Sequence, residues 1–333
     1  MALKVHRAGI LTTVQDRGRY GYQRFGVPVG GVMDEYSHRL ANLLVNNSED
    51  DASLELTLAG PCLEFTEATL IAICGGDLTP TIAGRAVPLS RPVMVKAGSL
   101  LDFGARRLGC RAYVAVNGGI DVPQVMGSRS TYLRASVGGF KGRALKRGDA
   151  LDTGIGSTAI YPGLRKGFSD GQMFVSTKWS VTANSAFLTH DHHRIRFIPG
   201  RHWQRFIEDS QQQFCTAEFR IASNSDRMGY RLQGPVLQLE QPAEILSEAV
   251  TFGSIQVPPD GSPIVLMANR HTTGGYPRIG EVISVDLPLL AQLPPGDTVR
   301  FEPVTLEESQ KLYLQREREI ALMREALQMR MTA

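Results

Sequence analysis

Residues 247–280 read SEAVTFGSIQVPPDGSPIVLMANRHTTGGYPRIG, and this stretch combines one buried strand with turns and a polar loop. The run PIVLMA at 263–268 is apolar throughout and has the length of a strand that is covered on both faces. Turn residues lie on both sides of it, at 258–261 (PPDG) and at 272–277 (TTGGYP). The strand therefore delivers a polar loop to one edge of a β-sheet.

The loop after this strand is a candidate substrate-binding segment. Two adjacent glycines let a backbone approach a ligand closely with its N–H groups exposed, and hydroxyl groups and cationic side chains surround them. A tight hairpin with solvated charges explains the same residues, because Gly-Gly pairs are common at turns. The candidate binding residues of the loop are Thr272, Thr273, Gly274, Gly275 and Tyr276.

Composition excludes several classes of partner. The 36 basic and 33 acidic residues give a net charge of +3, and no Lys/Arg block of the kind that binds nucleic acid or anionic membrane is present. No apolar run is long enough to span a bilayer, and the N-terminal MALKVHRAGILTTV lacks the apolar core of a signal peptide. The four cysteines are widely spaced, which predicts free thiols and a cytoplasmic location.

The chain predicts an all-β fold with accessory helices, because many short strands are separated by Gly/Pro turns and do not alternate with long helices. The predicted division is a first domain at 1–160, a linker at 161–193, a second domain at 194–304 and an amphipathic helix at 305–333. In the first domain a helix is expected at 34–46, where Asp34 can cap, and strands are expected at 70–74 and 112–116.

In the second domain, residues 195–198 predict a strand and residues 203–211 predict a helix, because Trp203, Phe206 and Ile207 share a face. The alternation of apolar and polar residues at 215–221 predicts a half-buried strand.

Glycine pairs recur in the chain, at 30–31, 75–76, 118–119, 138–139 and 274–275, and three of the five directly follow a strand-like run. Gly118 and Gly119 therefore join the candidate binding residues.

Common catalytic and cofactor templates are missing from the sequence. It contains no GxGxxG opening a helix, no GxxxxGK[ST] and no GxSxG, so we expect no ATP or other cofactor to bind this chain alone. The cluster HDHH at 190–193 lacks third and fourth ligands nearby, and no metal site is predicted there. Lys96 lies two residues after Met94, but Val95 stands between them, which argues against a biotin carrier.

Six motifs in order carry a resemblance to a known family: TTVQDRGR at 12–19, GVP at 26–28 with GGVMD at 30–34, GSRST at 127–131, SDRMGYRL at 225–232, IQVP at 255–258 and TTGGYP at 272–277. The chain resembles the allophanate hydrolase subunit 2-like family over about residues 5–304. This family includes one of the subunits of bacterial ATP-dependent 5-oxoprolinases, known as the KipI antagonist, and the carboxyltransferase domain of urea carboxylases. The resemblance implies two cyclophilin-like β-barrel domains.

The resemblance also implies a function. It predicts one component of an enzyme that opens 5-oxo-L-proline to L-glutamate with ATP and Mg²⁺, acting with a KipI-like partner protein and a LamB/YcsF-like partner protein. Two different functions remain open. One is the carboxyltransferase component of a biotin-dependent, urea-type carboxylase, and the second is a non-catalytic antagonist of a KipI-like kinase inhibitor.

Opening a lactam requires donors for a developing oxyanion and cations for the substrate carboxylate. Gly274 and Gly275 are candidate N–H donors, Arg227 and Arg19 are candidate anion clamps, and Asp16 or Asp34 would orient a cation or act as a base. Structural explanations stay open: Arg19 could pair with Asp16, and Arg227 could cap the turn at Asp226. Ser130, in the motif at 127–131, completes the candidate set.

One position departs from the family pattern. Related sequences usually have Asp, then Arg-Gln, before the two threonines, whereas this chain has Asn269-Arg270-His271. The loss of a carboxylate at the start of the loop is expected to affect substrate orientation or choice.

Overall fold

The computed structural model describes residues 2–157, 160–169, 171–181, 193–241 and 245–332. They form two compact units, one of residues 1–18, 34–186 and 318–333 and the other of residues 19–33 and 187–317. No helix within these residues combines the length and the apolar character needed to cross a bilayer. The predicted all-β fold with accessory helices is confirmed, since twenty-two strands and five α-helices are found in the part of the chain that is described.

The first unit contains thirteen of the strands. They are β1 Ala2–Arg7, β2 Leu11–Gln15, β3 Ser53–Thr57, β4 Cys62–Phe65, β5 Thr69–Asp77, β6 Pro80–Ile82, β7 Arg85–Ala86, β8 Val93–Val95, β9 Ser99–Phe103, β10 Leu108–Val116, β11 Ile120–Asp121, β12 Ala150–Thr153 and β13 Phe174–Ser176. The strands make two sheets, in the orders β11-β12-β1-β4-β9-β6-β7 and β13-β8-β5-β10-β3-β2, rather than one closed barrel. Apolar side chains of both sheets, such as Phe65, Phe103, Leu54 and Val114, share one core.

Two helices also belong to the first unit, α1 Glu35–Leu44 and α2 Pro162–Lys166. The predicted helix at 34–46 is confirmed as α1, and Asp34 caps it by accepting a hydrogen bond from the Ser37 N–H at 2.9 Å. The expected strands at 70–74 and 112–116 are confirmed as the longer β5 and β10.

The second unit is a closed barrel. Its strands are β14 His193–Pro199, β15 Phe219–Ile221, β16 Gly229–Gln233, β17 Glu248–Ala249, β18 Ser254–Gln256, β19 Ile264–Leu266, β20 Thr273–Gly274, β21 Arg278–Val282 and β22 Thr298–Pro303. The barrel runs β14-β21-β18-β19-β16-β15-β22 and closes through the parallel pairing of β14 with β22, while β17 and β20 form a separate two-stranded ribbon. Its core is rich in phenylalanine, and Phe214 stacks on Phe301 with ring centroids 4.5 Å apart.

The remaining helices are α3 Glu208–Thr216, α4 Leu287–Ala291 and α5 Leu306–Thr332. The predicted helix at 203–211 is wrong in its bounds, because Phe206 takes an extended conformation to reach the barrel core and separates a 3-10 turn at Trp203–Arg205 from α3. The predicted strand at 215–221 is also wrong in its first half. There α3 continues to Thr216, burying Ser210 and Phe214 on one face, and only β15 is extended.

The predicted domain boundaries differ from the observed units in three places. Residues 19–33 belong to the second unit, where Met33 is fully buried in the barrel core. The C-terminal part of α5, from residue 318 onward, belongs to the first unit. The predicted linker at 161–193 contains α2 and β13, and β13 pairs with β8 as an added strand of the six-stranded sheet. The linker residues 182–192 lie outside the described chain.

Candidate functional site

Strand register brings Arg227 and Asn269 together in the second unit. Antiparallel pairing sets Gly229, the first residue of β16, opposite Leu266, the last residue of β19. The pairing continues beyond the strand ends, since the Asn269 N–H donates to the Arg227 carbonyl at 2.7 Å. Both side chains are buried, each 5% exposed.

Segment 19–33 contributes three more residues, Arg19, Gly30 and Gly31, to the surroundings of Arg227 and Asn269. The Arg19 N–H donates to the Val29 carbonyl at 2.8 Å, and the Arg19 side chain is only 1% exposed. Arg227 donates through Nη2 to the carbonyl oxygen of Gly31. The Asp226 carboxylate itself closes the turn by accepting from the N–H groups of the two residues that follow Arg227. The predicted clamp residues Arg19 and Arg227 therefore meet around the 30–31 glycine pair.

Gly30 lies beside the guanidinium group of Arg19 and the side-chain amide of Asn269. Its φ is +67°, and a Cβ there would lie 3.3 Å from Arg19 Nη1 and 3.6 Å from Asn269 Oδ1. The Asn269 Oδ1 is buried and has no hydrogen-bond partner among the described residues. We refer to Arg19, Gly30, Gly31, Arg227 and Asn269 as the arginine cluster. It combines two guanidinium groups, which can only donate, with one buried acceptor that has no partner among the described residues.

The loop at 272–276 forms the outer part of the β17–β20 ribbon. Thr273 is exposed, Tyr276 is 45% exposed, and the Tyr276 carbonyl accepts from Gln256 Nε2 at 3.3 Å. A Cβ on Gly274 would lie 2.4 Å from Gln256 Nε2, whereas one on Gly275 would meet only atoms at 3.3 Å. Neither glycine has positive φ, so neither is required by a left-handed backbone. Close packing against Gln256 explains the glycine at 274.

Asp16 has a structural role in the first unit. Its carboxylate accepts from the Gly18 N–H at 2.9 Å, from Ser128 Oγ at 2.7 Å, from Ser130 Oγ and from the Arg129 N–H. These bonds hold the 127–131 motif against the end of β2. Asp16 and Ser130 are thus brought together as predicted, but their polar atoms are engaged with each other and with neighbouring turns.

Asp34 is used at the start of α1. Its carboxylate bonds the N–H and the hydroxyl of Ser37, and its own N–H donates to Tyr113 Oη at 2.8 Å. Tyr113 in turn donates to Glu55 Oε2 at 2.8 Å. Burial, together with the negative charges of Glu55 and Asp34, raises the pKa of Tyr113 well above its ordinary value. The helix-capping bonds account for this buried aspartate.

His38 lies on the same helix and is fully buried. Burial lowers its pKa to about 4, so the imidazole is neutral at physiological pH. Its Nε2 lies 3.3 Å from the Asn42 amide nitrogen, which can only donate. Its Nδ1 lies 2.8 Å from Ser53 Oγ.

Gly118 and Gly119 serve the turn after β10. The Gly118 N–H donates to Asn47 Oδ1 at 2.8 Å and the Gly119 N–H to the Val116 carbonyl at 2.8 Å. A Cβ on Gly118 would lie 2.3 Å from the Gly154 carbonyl oxygen. Both N–H groups have acceptors within the unit, so the predicted role of donors to a substrate is not supported here.

A buried polar layer on one face of the six-stranded sheet was not predicted from the sequence. Thr13, Glu55 and Tyr113 lie side by side in register on β2, β3 and β10, each at most 1% exposed. The sequence does contain a signal for this polar layer. Polar residues occupy every second position of β3, SLELT at 53–57, and therefore share one face of the strand. Among the described residues no group of three or more His, Cys, Asp or Glu is placed to hold a metal ion, and residues 190–192 lie outside them.

The fold and these motifs define a class of protein. The family model of the carboxyltransferase domain, subdomain A and B, matches residues 25–303, and the chain belongs to this family.

The chain is also similar to individual proteins whose names are known. The chain is 40% identical over 309 residues to the C subunit of the 5-oxoprolinase of Escherichia coli, and the match covers 93% of both chains. It is 38% identical over 300 residues to the C subunit of the 5-oxoprolinase of Haemophilus influenzae, covering 90% of both. The crystal structure of Kluyveromyces lactis urea carboxylase superposes with a TM-score of 0.85 at 33% identity over 96% of this chain, which spans 29% of that larger chain.

Proposed function

We propose that this chain is the C subunit of an ATP-dependent 5-oxoprolinase, which opens 5-oxo-L-proline to L-glutamate. The observation that carries the proposal is the match to the Escherichia coli C subunit over 93% of both chains. The match to urea carboxylase has lower identity and covers only a part of a much longer chain. The four free cysteines suit a reducing compartment such as the cytoplasm.

The arginine cluster supports this reaction. A five-membered lactam is a poor electrophile, and phosphorylation of its carbonyl oxygen by ATP would activate it toward water. The substrate carboxylate and the developing oxyanion then need fixed positive charge and oriented donors in a site that excludes water. Arg19 and Arg227 supply buried guanidinium groups with such donors. In this proposal Arg227 and Arg19 bind the anionic groups of the substrate.

ATP and Mg²⁺ would be used by the assembled enzyme, which would contain a KipI-like protein and a LamB/YcsF-like protein beside this chain. The sequence has no phosphate-binding loop followed by Lys-Ser or Lys-Thr, which supports a division of labour within the complex.

Reconstitution tests the proposal. The chain alone should release no glutamate from 5-oxoproline with ATP, and mixing with the two partner proteins should produce activity. Arg227→Gln should lower turnover of the complex by about 10²–10³, the usual effect of removing one oriented donor from an oxyanion or anion site. Arg231→Gln, at an exposed position in β16, is the matched control and should keep full activity. Robust glutamate release by the chain alone, or none by the complex, would contradict the proposal.

The second candidate is carboxyl transfer from carboxybiotin to a urea-type acceptor. The high structural similarity to urea carboxylase favours this activity over a non-catalytic antagonist of a KipI-like kinase inhibitor. Mixing the chain with carboxybiotin carrier and urea distinguishes the two enzymatic candidates, because the oxoprolinase proposal expects no carboxylated product.

A further inference from the structure

We propose that Asn269 recognises the ring N–H of the lactam substrate and so determines the selectivity of the site for an amide over an ester. This inference deepens the proposed function and rests on it for the identity of the ligand. It concerns a residue at which the chain departs from the usual pattern of its family.

The first observation is that the side-chain oxygen of Asn269 is buried without a hydrogen-bond partner among the described residues. Its backbone is fixed by the hydrogen bond from its N–H to Arg227, while its Oδ1 is buried and unused among the described residues. A buried acceptor without a partner is costly, and native proteins seldom retain one without a ligand, a water or a function. An unused acceptor calls for a donor from the ligand.

The second observation is what surrounds that oxygen. Arg19 Nη1, which can only donate, and Asn269 Oδ1, which can only accept, both lie near Gly30, at 3.3 Å and 3.6 Å from the position that a Cβ on Gly30 would take. Gly30 lacks the side chain that would otherwise contact both Arg19 Nη1 and Asn269 Oδ1. A ligand group beside Gly30 would therefore meet a cationic donor and a neutral acceptor.

The lactam has the complementary pattern. In 5-oxoproline the ring N–H lies between two acceptors, the lactam carbonyl and the carboxylate. A cation that binds one of these oxygens places the N–H beside an adjacent acceptor, which here is Asn269 Oδ1. A lactone of the same shape would place a ring oxygen there instead, and two acceptors would face each other.

The amide is better suited to this role than a carboxylate. An aspartate at 269 would carry a negative charge beside the arginines and would compete with an anionic ligand for them. The neutral Asn269 accepts the N–H without this competition.

The test compares 5-oxoproline with its lactone analogue, 5-oxotetrahydrofuran-2-carboxylate, by calorimetry on the full chain and on the reconstituted complex. We expect the wild-type chain to favour the lactam by about 10–100-fold, the usual effect of one unsatisfied buried polar group. Asn269→Leu should bring the two affinities within about threefold of each other. That ratio is a free-energy difference smaller than the usual net contribution of one hydrogen bond.

Two further variants make the result decisive. Asn269→Ala removes the same acceptor without adding volume, and it replaces the leucine variant if that variant does not fold. Asn269→Asp keeps an acceptor and should retain the preference for the lactam, with weaker binding of both anions. Asn224→Leu, at an exposed position of the same unit, is the control and should behave as wild type.

The outcomes separate this inference from the function. A folded Asn269→Leu or Asn269→Ala chain that still prefers the lactam overturns the inference even if the complex releases glutamate. A preference that disappears in these variants supports it even if the complex turns over another lactam. A wild-type chain that binds both compounds equally, or neither, overturns it as well.

Discussion

Gly30 and Gly26 both have a left-handed backbone, with φ of +67° and +79°, but of the two only Gly30 lies beside side-chain atoms of the arginine cluster. Any side chain at either position has the same backbone penalty, about 1–2 kcal/mol. At Gly30 the added carbon would also crowd Arg19 Nη1 at 3.3 Å and touch Asn269 Oδ1 at 3.6 Å, whereas a Cβ on Gly26 would meet nothing within 4 Å.

This pair gives a prediction. Gly30→Ala should lower the affinity for 5-oxoproline about tenfold or more, because it displaces a charged hydrogen-bonding group, and Gly26→Ala should leave the affinity within about twofold. Calorimetry measures the affinities, and urea unfolding checks that the two variants lose similar stability. Equal affinities in the two variants would mean that the space beside Gly30 does not admit the ligand.

At the scale of the element, α1 covers a polar face of the six-stranded sheet, and it carries the fully buried His38. Burial lowers the pKa of His38 to about 4, against the opposing charges of Asp16 and Glu55, which would raise it. In the unfolded chain the histidine has its ordinary pKa of about 6.5.

The pH dependence of stability follows. Between pH 6.5 and 4 the unfolded chain binds a proton that the folded chain does not, so the free energy of unfolding should fall as the pH falls through this range. The full effect of this one group is roughly 3 kcal/mol. His38→Asn removes the titrating group and should flatten this part of the curve, measured by urea unfolding at about pH 4.5, 5.5, 6.5 and 7.5. An unchanged slope in the variant would show that different groups cause it.

At the scale of the whole molecule, the C-terminal part of α5 is part of the first unit. Ile320, Leu327 and Met331 are buried, and Arg324 pairs with Glu49. The Met331 carbonyl also accepts from the Tyr161 N–H at 2.9 Å. The first unit thus uses residues from both ends of the sequence.

Two leucines on α5 test this arrangement. Leu327→Ala should lower the free energy of unfolding by about 2–4 kcal/mol, because Leu327 is 3% exposed and its removal leaves a cavity. Leu322→Ala, on the same helix but 66% exposed, should change it by less than about 0.5 kcal/mol. Thermal and urea unfolding of the full chain measure the free energy of unfolding of both variants. A similar small effect in both variants would mean that the end of α5 does not contribute to the folded unit.

The sequence by itself determined the class of fold and most of the strands and helices that have a clear local sequence pattern. The apolar run at 263–268 became β19, and the capping residue and apolar stripe at 34–46 became α1, because these signals depend on neighbours along the chain. It also singled out Arg19, Arg227 and Asn269.

The tertiary structure decided where these residues lie. Local periodicity could not show that residues 19–33 pack with the second unit, since Met33 is buried there by contacts distant in sequence. Nor could it show that Asp16 and Asp34 are occupied by turns and a helix cap, or that the Asn269 oxygen is left without a partner among the described residues. Each of these depends on strand register and on which backbone groups meet across the fold. Spacing along one segment does not encode that information.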